Sequence, residues 1–516
     1  MKKNKNLFLM LLLILTMCVG LLSACATDTD SPSAPPANQP TNTDDLLGIV
    51  AMTVGDIEIS VAEYNVYYYN VYNDMLPSYQ GSGDPAINED FHLEVAHATD
   101  ENILNTISLS DEARKNNMIL SKENQAHLDG IRETFEYAAG AEGLTVEEYI
   151  ALNYGKGVTV EAYEKCMSDA LLAMQLRDEI FDSFTYTQSD FDSYYNENKN
   201  AIDVIDMCYF KVLAEHQHED EDEHTDEDSE LEKQAALARA NAFLAKVTSQ
   251  ATFNAAAAEF TSGEESEYYR SDPNAGMYNY FEFSNVTGHL LDWLSDPARR
   301  EGDKTAIEAI DGSGYEVLYF IKRQRPEYHS VSARHILFAY KDSEGKMTST
   351  PTEEQKNLSK QNAQKAFDDW KANDPSENSF AALANEFSED YGSGDGGLYV
   401  DMPMGMMVRP FENWCYDDAR NVGDTGLIET SFGYHVMYYS AKNDRPRWVN
   451  VAHDMLLEAD VSDHIANINT QYPMEKHEYG MSLTLQRDAE IHEAVIAQNE
   501  LDFPEGWGEI AEPDPQ

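Results

Sequence analysis

Two histidines, His335 and His435, stand about a hundred residues apart, each inside a short motif: Arg334-His335-Ile336-Leu337 and Phe432-Gly433-Tyr434-His435. Three further motifs lie between them, Phe387-Ser388-Glu389-Asp390, Gly396-Gly397-Leu398 and Met407-Val408-Arg409-Pro410-Phe411-Glu412, and Thr430 shortly precedes the second histidine. Histidine exchanges a proton near neutral pH, and a hydrogen bond at one ring nitrogen fixes the state of the other. Asp390 adds a carboxylate, while Leu398, Met407, Val408, Phe411 and Phe432 add large apolar side chains. Taken singly, each has a plainer reading: core histidines, core Met and Phe, a loop carboxylate. A second constellation runs from Glu215 through His216, His218 and Glu219 to His224. Such side chains bind Zn²⁺, Cu²⁺ or Ca²⁺, but this spacing matches no closed metal site, and a solvated acidic loop is the default. No metal and no cofactor are expected.

Taken together, the five motifs are specific. In this order and spacing, over roughly 331–441, they resemble the parvulin family of peptidyl-prolyl cis/trans isomerases. Rotation about an X–Pro bond meets a barrier near ~18–20 kcal/mol because amide resonance must be broken, so a catalyst has only to bind the twisted amide better than the planar one. The resemblance implies an α+β fold, a four-stranded antiparallel sheet flanked by helices. It implies that His335 and His435 pair through their rings on adjacent strands, with Thr430 retained nearby. Leu398, Met407 and Phe411 fall on the family's proline pocket, with Val408 beside them and Phe432 at the position of a serine in some members. Asp390 falls where the family places Asp or Cys facing the rotating amide. The sequence departs from the family's Gly-Gly-Asp-Leu-Gly, which reads here Gly396-Gly397-Leu398-Tyr399. No basic cluster for phosphate accompanies Arg409, so phosphoserine-proline specificity is not expected.

The elements needed to carry these residues are visible as patterns. Alternation predicts strands over 332–339, 425–430 and 434–440, and helical periodicity predicts helices over 353–373 and 379–388. A degenerate copy lies upstream. At a shift of 127, Phe380-Ala381-Ala382-Leu383-Ala384-Asn385-Glu386-Phe387 falls on Phe253-Asn254-Ala255-Ala256-Ala257-Ala258-Glu259-Phe260, and His335 falls on Cys208. Trp414, Asp417 and Gly423-Asp424 recur at a shift of 121 as Trp293, Asp296 and Gly302-Asp303. The region 203–325 therefore reads as a second parvulin-like domain with Cys208 and Glu316 in place of the histidines, a binding or spacer module. Ahead of it, 48–202 reads as mostly helical. Ser60-Val61-Ala62-Glu63 and Thr145-Val146-Glu147-Glu148 form capping boxes, and Tyr64, Tyr68 and Tyr72 make a stripe suited to a core. This stretch resembles the chaperone lobe of PrsA- and SurA-type foldases. The tail 446–516 has a helical pattern near 478–499 and a place, by the same resemblance, against that lobe.

The first 25 residues read as a targeting segment: Lys2, Lys3 and Lys5, then an apolar run from Leu7 to Leu22. The run ends in Leu22-Ser23-Ala24-Cys25, which resembles a bacterial lipobox and implies lipid on Cys25 and anchoring outside the cytoplasmic membrane. Residues 26–47 read as a disordered tether. The net charge of −57 becomes −60 once the three leader lysines are gone, which argues against nucleic acid as a partner. Unfolded or partly folded secreted polypeptides are the expected partners. Cys166, Cys208 and Cys415 are too few for a disulfide framework. Two readings stay open: an isomerase with chaperone activity, and a non-catalytic holdase with a relic site. A solute-binding lipoprotein would need alternating βα units, which are not visible.

Overall fold

The computed structural model describes residues 46–79, 81, 88–155, 157–214, 226–286, 288–390 and 392–484. The leader with Cys25, most of the tether, the run 215–224 and the tail beyond 484 lie outside the described residues. Among the described residues no helix is long and apolar enough to cross a membrane.

The chain forms two compact units, one from the N-terminal part to Thr185 together with Leu457 onward, the other Tyr186–Leu456. The first opens with strands β1 (Val50–Val54) and β2 (Ile57–Ser60), then helices α1 (Val61–Met75), α2 (Glu89–Lys115), α3 (Lys122–Glu142), α4 (Val146–Tyr154) and α5 (Val160–Ser183). Ser60 caps α1: its Oγ accepts the Glu63 N–H at 3.2 Å and the Glu63 carboxylate accepts the Ser60 N–H at 2.8 Å. The tyrosine stripe is core, with Tyr64, Tyr68 and Tyr72 all buried, along with Tyr67 and Tyr69 between them. The Ser60→Ala variant should lose about 1–2 kcal/mol of stability in urea unfolding, since both bonds of its hydroxyl to Glu63 are buried.

The second unit begins with α6 (Gln188–Glu197) and α7 (Lys199–Ile202). Phe191 and Ile202 are buried against Trp448, Val449 and Ala452 of the same unit. Next come β3 (Val204–Leu213), α8 (Asp226–Lys246), α9 (Gln250–Phe260), α10 (Gly263–Ser271), β4 (Met277–Glu282), α11 (Gly288–Ser295), β5 (Lys304–Glu308) and β6 (Gly314–Gln324). They build an antiparallel sheet of order β4-β3-β6-β5. The following segment repeats the plan with β7 (Val331–Ala339), α12 (Glu353–Asn373), α13 (Glu377–Phe387), β8 (Leu398–Met402), α14 (Arg409–Cys415), β9 (Thr425–Glu429) and β10 (Gly433–Lys442), in sheet order β8-β7-β10-β9. The fold class is α+β. One face of the second sheet packs Ile336 and Val436 on α12 and α13 through Phe367, Trp370 and Phe380. The other packs Ala333, Met437 and Tyr439 on Phe411 and Cys415 of α14.

After α15 (Arg447–Asn469) come β11 (Met474–Lys476) and α16 (Glu478–Thr484). Strand β11 pairs with β1, and Val461, Ile465 and Tyr472 join the core of the first unit. Helix α16 begins where the helical pattern near 478–499 begins, and the rest of that pattern lies outside the described residues.

Candidate active site

The two histidines sit at the centre of the second sheet, on neighbouring strands β7 and β10. Both are buried, and their rings face each other at 5.2 Å with Nδ1 to Nδ1 at 3.0 Å. His435 Nε2 lies 2.8 Å from Thr430 Oγ1, which also accepts the Phe432 N–H at 3.1 Å. On the far side, His335 Nε2 lies 2.9 Å from Asp390 Oδ2, an ion-pair approach whose angle falls outside hydrogen-bond geometry. Asp390 in turn accepts the Tyr399 hydroxyl at 2.9 Å and the Gly392 N–H at 3.0 Å.

This series admits a consistent proton assignment, read from the network. Thr430 O–H donates to His435 Nε2, so His435 Nδ1–H donates to His335 Nδ1, and His335 Nε2–H faces the Asp390 carboxylate. Adding one proton at His335 Nδ1 reverses the ring-to-ring bond and moves the other hydrogen to His435 Nε2. Thr430 can then donate to the Gly433 carbonyl, 3.4 Å away. A proton can thus enter without orphaning a polar atom.

The charges are set by burial and contact. The His335 contact, opposed by desolvation and aided by the Gly392 N–H and Tyr399 hydroxyl, holds the Asp390 carboxyl well below the usual carboxylate range. Burial, and then the neighbouring His335, push His435 down to about 3. Burial first, then Asp390, raises the Tyr399 hydroxyl to about 12. A histidine with a lowered folded-state value is neutral when folded, so the unfolded chain takes up its proton first, below about 6.5. Stability must therefore fall as pH drops from about 6.5 towards 3, and Asp390 adds loss in the same direction below about 3.9. Urea midpoints at pH 7, 5 and 4 should show this slope, and the His435→Gln variant should flatten it.

Local sequence explains the placement. Beyond Arg334, the edge of β7 away from β10 is not paired with β8. There Ser388 Oγ accepts the Leu337 N–H at 3.2 Å, and the Glu389 carboxylate accepts the Ala339 N–H at 2.7 Å. The Ser-Glu-Asp motif thus stitches its loop along the strand and sets Asp390 beside His335. Gly397 has φ +69°, and a Cβ there would lie 2.2 Å from the His335 carbonyl oxygen, so only glycine lets this turn close on the strand.

The apolar residues divide. Phe411 is buried with its ring edge on both imidazoles, at 5.3 and 5.8 Å, and Met407 packs in the same layer. Val408 and Phe432 are exposed, 36% and 54%, as is Met406 at 56%. Leu398 requires a correction: it stands opposite Arg334, whereas Tyr399 stands opposite Ala333 on the histidine face. Tyr399 takes that place, with its ring 5.4 Å from His335. A one-residue change of register turns a side chain to the other face, and motif matching had no means of resolving it. The same slip affects the first sheet. Strand pairing sets Leu318 opposite Tyr209 as Met437 is opposite His335, so Tyr209 and not Cys208 stands at the histidine position. Cys208 faces the helices, buried with Phe243 and Phe253. Tyr209 donates to Glu316 at 2.8 Å, and His289 Nε2 contacts the same carboxylate.

Residues 315–443 match the family described as PPIC-type PPIASE domain, and this segment belongs to it. Among individual proteins, 67 residues are 40% identical to Foldase protein PrsA 3 of Bacillus cereus. That match covers 13% of this chain, and the chain spans 23% of that relative's length. The crystal structure of the peptidylprolyl isomerase PrsA from Bacillus cereus is similar at 17% identity, over 62% of this chain and 83% of that one, with a TM-score of 0.18. A SurA-like chaperone of Campylobacter jejuni is similar at 13% identity, over 53% and 81%, with a TM-score of 0.17. The isomerase-family match thus falls on the stretch that carries both histidines, Asp390, Phe411 and Thr430.

Proposed function

We propose that this protein is an extracytoplasmic foldase that isomerises X–Pro bonds in unfolded or partly folded secreted polypeptides, tied to the membrane by lipid on Cys25. The observation that carries the reading is the series of contacts Thr430, His435, His335, Asp390 and Tyr399 bordered by Phe411. It offers no bond-forming nucleophile, and none is required. Phe411 and Met407 would receive the proline ring, Val408 and Phe432 would line the approach, and the polar series would face the carbonyl as it turns. Asp390 would favour the twisted amide by destabilising the planar carbonyl or by steering its hydrogen bonds. The domain assignment follows: 48–202 as the chaperone lobe, 203–325 as a degenerate parvulin-like domain and 331–441 as the catalytic one.

The PrsA and SurA-like relatives are described as a foldase and as chaperones, which supports a polypeptide client and a location outside the cytoplasm. The test is refolding of a client whose slow phase is limited by proline isomerisation, tens to hundreds of seconds at 25 °C. The chain lacking its leader should shorten that phase at substoichiometric concentration. Suppressed aggregation with an unaltered slow phase would favour the holdase instead.

A further inference from the structure

The loop at 403–408, which carries Met407 and Val408, leads directly into α14 and Phe411, and its outer side rests on the first sheet domain. Arg409, the first residue of α14, reaches across. Its Nη1 donates to both Asp272 carboxylate oxygens at 3.1 and 3.0 Å, and its Nη2 donates to the Asn274 carbonyl and, at 3.4 Å, to that of Met277. The receiving turn is itself braced. The Asp272 carboxylate accepts the Asn274 N–H at 2.8 Å, and the buried Asn254 of α9 donates to the Pro273 carbonyl at 2.9 Å. A second contact lies at Gly405, φ +86°, where a Cβ would fall 2.3 Å from the Asn279 carbonyl oxygen of β4. Next to it, Tyr280 holds a left-handed φ of 52°, its N–H donating to the buried Asp206 at 2.8 Å. Tyr328, between the two domains, donates nothing to this loop but accepts the Met404 N–H at 3.1 Å.

We propose that the first domain serves as the template for the second domain's apolar pocket, with Arg409 as a positioning residue acting through Asp272. This rests on the prolyl-binding reading above. It explains a domain that has replaced both histidines yet keeps its strand order and the turn at Asp272. Arg409 and Asp272 touch no substrate; they fix Met407, Val408 and Phe411 at the distance the proline ring requires.

The test uses the leaderless chain with Asp272→Asn, Arg409→Ala and the paired reversal Arg409→Asp with Asp272→Arg. Amide exchange across 403–412 should rise by roughly tenfold in Asp272→Asn, with the rest of the unit unmoved. The Kd for a fluorescent alanyl-prolyl peptide should rise by roughly fivefold in both single variants while kcat changes by less than about twofold. The paired reversal should recover part of the affinity. Should Arg409→Ala fail to fold, Asp272→Asn, which keeps the side-chain shape, carries the test. An unmoved peptide Kd in folded Asp272→Asn overturns the positioning role, whatever the catalytic rate. Absence of isomerisation in the unaltered chain, with peptide binding that still depends on Asp272, would sink the enzyme reading and leave the template standing.

Discussion

Replacing Asp390 by Asn is expected to lower kcat/KM for X–Pro isomerisation by about 10²-fold, the scale set by removing one preorganised electrostatic group. The variant keeps the side-chain shape and, with its single oxygen turned to Gly392, the acceptor for that N–H, while its amide nitrogen stands where the Tyr399 hydroxyl donates. What it loses is the charge that the His335 contact stabilises as a carboxylate. Without it, His335 has no reason to hold its proton on Nε2, and the ring series loses its polarity. Urea unfolding at pH 7 should also lose some stability, because a carboxyl lowered in the folded state contributes at every pH above its unfolded value. Tyr399→Phe should cost less, because the Gly392 bond and the His335 contact remain. Kinetics of the two variants beside the unaltered chain check this, and an Asp390→Asn enzyme with full kcat/KM would remove the carboxylate from the account.

Phe411→Ala should destabilise the second unit by about 3–5 kcal/mol, as expected for a buried phenylalanine cut back to a methyl. The ring is 2% exposed, packs with Met402, Met437 and Tyr439, and supplies the only apolar edge described against both imidazoles. Its loss opens a cavity beside His335 and removes the floor of the proposed proline pocket, so peptide affinity should fall with stability. Denaturant midpoints measure the first effect and peptide titration below the midpoint measures the second. A loss under about 1 kcal/mol would mean that the layer collapses onto α14 without needing the ring.

Much of the site was legible because its motifs are local. The strands predicted at 332–339, 425–430 and 434–440 are observed as Val331–Ala339, Thr425–Glu429 and Gly433–Lys442, and the helix at 353–373 as Glu353–Asn373. Alternation and helical spacing report directly on which faces are buried, so these patterns carry over. Tyr399 was not legible, because which of Leu398 and Tyr399 shares the histidine face is set by the pairing of Arg334 with Leu398 and Ala333 with Tyr399, which no local pattern states. The Cys208 equivalence failed because the offset of 127 that aligns the helices becomes 126 on the strand, where Leu213 pairs with Gly314 as Ala339 pairs with Gly433. Arg409 gave no sequence signal of its role, since its partner Asp272 lies 137 residues away in the other domain. The packing of Phe191 and Ile202 with Trp448 and Ala452 was equally hidden, since those partners lie far along the chain.

The central claim rests on one rate. Cis-to-trans exchange of short X–Pro peptides should be measured with the chain from residue 26 onward and with its His335→Ala form, at equal concentrations and with the fold checked by circular dichroism. The account predicts clear acceleration by the unaltered chain and its near loss in the folded variant. A well-folded unaltered chain that leaves the exchange rate at its uncatalysed value would contradict the isomerase and leave a holding chaperone in its place.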